Sequence, residues 1–255
     1  MNEESSLSQA ELSLRNGDPA GAERVLTKAW PDMTRAPADA QHLLAMVRVA
    51  QGGRVSEAEQ LMRSALALEP TSLRHNIGLG HILTAVGNEA GALEAYINAS
   101  RIDPRWPGIF VVISQANYSL ERFADAERAA RSAVAAASTV AAYECLSNAL
   151  RAQGKVQEAL QAAEDALKID RRDANAQHAK AAALMGLNRP QEALAIFDDL
   201  LSQGLDLPVL HMNRGAALEA LGRKADARAV YEEAARRFPN LPNLQERVAN
   251  ARKRV

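Results

Sequence analysis

Few residues in this chain have the types and spacing that covalent chemistry needs. Cys145, the single cysteine, could serve as a nucleophile if His178 approached it as a base with Asn148 nearby. A lone thiol among alanines packs as a small hydrophobe far more often than it reacts. Cys145 is therefore expected to be buried and His178 to be exposed. Of the other histidines, His42 and His211 recur at a helix-packing position, His75 lies on a helix flank, and His81 has no paired ligand. No metal and no cofactor is expected. Gly78-Leu79-Gly80-His81 would cradle a phosphate only after a strand, and it sits inside a helical pattern instead. Catalysis is not expected.

The composition favours an all-α protein. Of the 255 residues 47% are hydrophobic but only 4% aromatic, and abundant alanine favours closely packed helices over sheets. The 30 Lys+Arg and 31 Asp+Glu give a net charge of -1, so no overall field draws the chain to nucleic acid or to anionic lipid. The basic run Arg252, Lys253 and Arg254 complements the dipole of a terminal helix. One cysteine allows no intrachain disulfide. No signal-like or membrane-spanning apolar run occurs, which predicts a cytoplasmic protein.

The elements that must position any binding residues announce themselves by repetition. Ala22, Ala58, Ala92, Ala126, Ala159, Ala193 and Ala227 recur at intervals of 36, 34, 34, 33, 34 and 34 residues, close to the 34 of a helix-turn-helix unit. Seven residues on, two turns along the same face, stand Ala29, Ala65, Ala99, Ala133, Ala166, Leu200 and Ala234. Five residues before the first set come Gly17, Gly53, Gly87, Glu121, Gly154, Asn188 and Gly222, mostly types that tolerate the left-handed conformation ending a helix. Pro70, Pro104 and Pro239 close the second helices. Ser56 and Glu59 suggest a capping box. Ala126 is expected where paired helices cross and Ala36 outside such a crossing.

Leu79-Gly80 followed by Ala92, Tyr96, Ala99 and Pro104 resembles the tetratricopeptide repeat family. The resemblance implies an all-α, right-handed superhelical solenoid in a single domain. Its repeats would span 3–36, 39–72, 73–106, 107–139, 140–173, 174–207 and 208–241, with a capping helix over 242–255. Leu241, Leu244, Val248 and Ala251 give that last helix its apolar stripe. The joints at Trp30–Pro37 and Ser202–Pro208 are irregular, but the repeat phase resumes after each.

The resemblance also implies that first helices line a concave face. Spacing then offers Leu43 and Val47 from the second repeat, Arg74, Ile77, His81 and Thr84 from the third, and Val111, Gln115 and Tyr118 from the fourth. The fifth offers Glu144, Asn148 and Arg151, and the sixth Asn175, His178 and Met185. The groove is thus expected to be apolar toward its N-terminal half and polar in its middle, suited to a peptide or partner helix. The family's carboxylate clamp of Lys, Asn and Arg is absent, its positions reading Leu43, Val47, Gly78, Gly108 and Val112. A protein-interaction scaffold is the expected function. A rival is the N-terminal arm of a sulfotransferase, glycosyltransferase or iron-dependent oxygenase, and a homodimer is a third form.

Overall fold

Alternating small and large apolar residues at helical spacing, cut every 16 residues or so by a turn, produce successive helix pairs. A computed structural model describes residues 3–106 and 108–253 and holds, among them, fifteen α-helices and no strand. The pairs are α1 (Glu3–Arg15) with α2 (Pro19–Ala29), α3 (Ala38–Gln51) with α4 (Val55–Leu68), and α5 (Leu73–Ala85) with α6 (Glu89–Ile102). Next in chain order come α7 (Ile109–Ser119) and α8 (Phe123–Ala136), and then the pairs α9 (Val140–Ala152) with α10 (Val156–Ile169), α11 (Ala174–Gly186) with α12 (Pro190–Ser202), and α13 (Pro208–Ala220) with α14 (Lys224–Arg237). A last helix, α15 (Pro242–Lys253), stands alone. A short 3-10 turn at Met33–Arg35 takes up the extra residues of the first joint.

The helices fall into two compact units, one ending at Arg122 and the other beginning at Phe123. The division lies between α7 and α8, at neither of the irregular joints. In the N-terminal unit each helix from α1 to α7 packs on the next, and α3 also touches α1 and α5. In the C-terminal unit α8 to α15 pack the same way, with α11 touching α9 and α13.

All seven alanines of the recurring set are fully buried, as expected of a position where two helix backbones meet. Ala65, Ala99, Ala133, Ala166, Leu200 and Ala234 are buried as well. Ala29 is exposed, because α2 ends there and Trp30 turns into the core in its place. The turn residues behave uniformly: Gly17, Gly53, Gly87, Gly154 and Gly222 have φ between 73° and 76°, while Glu121 and Asn188 adopt 57° and 56°. Each first helix thus ends in a left-handed residue.

Three expectations differ in detail. Ala36 is buried, at 2% exposure, and its carbonyl accepts from Gln41 Nε2 at 2.9 Å. The Ser56–Glu59 capping box does not form, since the N-cap of α4 is Arg54, two residues earlier, and Glu59 pairs with Arg63. Leu244, Val248 and Ala251 cap the last repeat while Leu241 stays exposed. Arg254 lies outside the described residues, as do the side chains of Arg252 and Lys253.

Two polar networks inside the fold have no signature in the repeat pattern. In the N-terminal unit Glu23 on α2 pairs with Arg48 on α3, whose side chain is only 8% exposed, and with Gln51 and Arg54. In the C-terminal unit Glu127 on α8 takes Lys155 at 2.8 Å, Gln153 at 2.7 Å and Arg131 at 2.5 Å. Both glutamates directly follow a recurring alanine, the one clue the sequence offered.

Candidate functional site

In the N-terminal unit α3 and α5 wall a shallow cavity of about 430 Å³. His42 and Met46 come from α3, and Leu73, Arg74, Ile77, Gly78 and His81 from α5. Trp106 closes one end. It is held in the turn before α7, where Asp103 Oδ1 accepts from Arg105 N at 2.9 Å and Trp106 carries the carbonyl that receives Ile109 N. Gly80 explains how closely α6 approaches: an added Cβ there would lie 2.2 Å from the Tyr96 ring. That ring meets His81 edge-on at 5.8 Å, and its hydroxyl lies 3.4 Å from Thr84 Oγ1.

The cavity carries almost no net charge. Arg74, its one permanent cation, lies 3.2 Å from both Glu11 on α1 and Asp39 on α3. Burial, then the charges of Arg74 and His75, hold the His42 ring down at about 3, and burial also lowers His81. Beneath His42 lies His75, fully buried, with the two Nδ1 atoms 3.1 Å apart.

Arg74, Ile77 and His81, which spacing offered for the concave face, line this cavity. Leu43 and Val47 are a correction: at 3% and 0% exposure they belong to the core with Ala10 on α1 and Ala22 and Leu26 on α2. Although they share repeat positions with Ile77 and His81, the enlarged first joint lets α1 lie over them, with Leu7 and Leu14 packed against the same cluster. The neighbouring His42 and Met46 face the cavity instead. Val111 and Tyr118 on α7 are half-buried and Gln115 is exposed, and none of the three lines the cavity. Trp106 was missed because it lies between helices, where periodicity is silent.

The corresponding face of the C-terminal unit is polar. Glu144, Asn148 and Arg151 are half-buried on α9, and His178 is half-buried on α11. Burial first, and then the Asp173 carboxylate, push the Glu144 carboxyl up to about 7. His178 Nε2 accepts from Asn213 Nδ2 on α13 at 2.8 Å, and burial followed by the Arg151 charge lowers its pKa. Cys145 is buried at 9% exposure. A packed thiol, and a histidine already bonded to an amide, give no support to nucleophilic chemistry. A second cavity of about 610 Å³ between α12, α13 and α14 is charged but internally compensated, with Asp206 bonded to His211 at 2.6 Å and to Arg237 at 2.9 Å. Among the described residues no group of three or more His, Cys, Asp or Glu could hold a metal, and no helix is long and apolar enough to cross a membrane.

Residues 139–172 and 178–242 match family models described as tetratricopeptide repeat. Among solved structures the chain is similar to a tetratricopeptide repeat protein from Parabacteroides merdae, with a TM-score of 0.82 at 17% identity over 98% of each chain. It is similar also to TTC0263, a TPR protein of Thermus thermophilus, with a TM-score of 0.64 at 22% identity over 71% of this chain and 98% of that one. A third is YrrB, described as a TPR protein with an unusual peptide-binding site, with a TM-score of 0.53 at 17% identity over 75% and 97%. A search of curated proteins finds no match. The repeat register, the helix pairs and these structural matches show a tetratricopeptide-repeat fold, and two stretches of the C-terminal half match the family's models. Folds of this class are generally non-enzymatic scaffolds.

Proposed function

We propose that the protein is an interaction scaffold whose N-terminal unit holds an apolar segment of a partner protein, as peptide or helix, in the cavity between α3 and α5. The observation that carries this reading is the cavity's lining: Met46, Leu73, Ile77 and Trp106 are each partly exposed there, and the single cation at the rim is already neutralised. Such a surface gains by burying apolar area and pays little to desolvate charge. The described peptide-binding site of YrrB supports the class of ligand. The polar face around Glu144, Asn148 and Arg151 would offer the C-terminal unit contacts of its own.

Two substitutions test it on the full chain against a library of displayed random peptides. Ile77→Glu places a charge on the cavity wall, so the fold should survive and peptide capture should weaken at least tenfold. Val47→Glu buries an unpaired carboxylate and should unfold the N-terminal repeats. Peptide binding that is unchanged in the folded Ile77→Glu protein would move the site elsewhere, first to Glu144, Asn148 and Arg151. Light scattering at matched concentrations separates capture of a second copy from capture of a peptide.

A further inference from the structure

His42 lines the groove from α3 and rests on His75 of α5, which is buried beneath it, the two at 5% and 0% exposure. Their rings tilt by 36° with centroids 5.0 Å apart. With the Nδ1 atoms at 3.1 Å, one ring must donate and the other accept, so at least one must be neutral. A first added proton preserves that bond but places a cation in an apolar setting. A second leaves two N–H groups facing each other.

The charged surroundings compensate only in part. His75 Nε2 lies 3.3 Å from Glu69 Oε2, just past the end of α4, but is misaligned for a hydrogen bond. Asp39 on α3 also attracts a His75 cation, while Arg74 on α5 repels one on either ring. Glu11 on α1 is held by Arg74, Glu23 on α2 by Arg48, and α6 brings Tyr96 against His81 rather than against the pair. Neither histidine therefore has a well-placed anion.

We propose that the N-terminal groove is acid-gated: protons taken up by the His42–His75 pair part α3 from α5 and release the occupant. The gate rests on the reading of this groove as the binding surface. Local opening is natural in a repeat array, where each pair is secured only by its neighbours. Burial depresses both rings, so stability is complete above the ordinary histidine value and falls as pH drops below it. Each pH unit below about 6.5 should multiply the open population about tenfold for every ring that opening exposes.

Amide hydrogen exchange on the full chain tests the gate without any ligand. After correction for intrinsic rates, protection of α3 and α5 should fall about 10- to 100-fold between pH 7.5 and 5.5. In the variant His42→Phe with His75→Leu it should not fall. Should that pair misfold, His75→Asn retains a polar neutral partner for His42 and should roughly halve the logarithmic slope. Flat protection in the unsubstituted protein overturns the proposal. For release, phage-displayed random peptides selected at pH 7.5 should elute at pH 5.5 from the unsubstituted protein and less completely from His75→Asn, whose substitution lies beneath the cavity lining. Equal elution from both would also overturn it. If no peptide is selected at pH 7.5, the binding reading fails, and the exchange profile still decides whether the pair opens the helices.

Discussion

The two units place the same first-helix positions on show and fill them with opposite chemistry. In the N-terminal unit the wall between α3 and α5 is apolar with neutral histidines, and its only permanent cation is cancelled by Glu11 and Asp39. In the C-terminal unit the face over α9 and α11 carries Glu144, Asn148, Arg151 and His178. Protonation pulls them in different directions. The buried histidine pair weakens its unit as pH falls, whereas Glu144 is best accommodated in its protonated form. The recurring alanines and left-handed turns set where a side chain projects, and leave its chemistry free to diverge from unit to unit.

The largest expected contrast lies in the two glutamate networks. Glu23→Ala leaves the nearly buried Arg48 with the Gln51 amide oxygen at 3.3 Å and the Glu57 carboxylate at 3.4 Å, and should cost the N-terminal unit about 3 kcal/mol. Glu127→Ala frees Lys155 and Arg131, whose side chains are 41% and 54% exposed and can turn to water, so about 1 kcal/mol is expected. Urea unfolding followed by exchange in each unit checks this, and equal losses would erase the distinction. Next comes packing: Ala126→Leu should cost about 1–3 kcal/mol by overpacking, and Ala195→Leu, exposed on α12, less than about 0.5 kcal/mol. Ala36 cannot serve as the exposed control because it too is buried.

The last contrast, Glu144→Gln, depends on pH. With its carboxyl raised from 4.5 to about 7, Glu144 favours the fold fully below about pH 4.5 and loses that contribution as pH rises through 7. The amide that replaces the carboxyl does not titrate, so the variant should melt higher than the parent above pH 7 and alike below pH 4.5. His178, lowered by burial, imposes the opposite slope on both proteins and cancels in the difference. Identical melting curves at every pH would mean that water or Asp173 rearranges to accommodate the charge.

The fold was legible because it rests on local rules repeated seven times. Even Glu121 and Asn188, without the freedom of glycine, adopt the left-handed turn their register demands. The groove was legible where the repeat is regular: Arg74, Ile77 and His81 face outward as spacing implied. Leu43 and Val47 failed because the enlarged joint brings α1 over them, a tertiary effect that a repeat register does not encode. His42 was assigned to packing alone, yet it both packs on His75 and lines the cavity. The buried Arg48 could not be seen because its partner Glu23 is distant in sequence, on another helix.

Trp30 lies in the N-terminal core and Trp106 at the end of the groove, and the chain holds no other tryptophan. All of the indole emission therefore originates in one unit, with one emitter at the enlarged joint and the other beside the proposed occupant. The sole thiol, Cys145, sits in the other unit. The molecule thus carries two native optical and chemical labels, fluorescence for its N-terminal half and thiol reactivity for its C-terminal half, which can follow the two independently in a single sample.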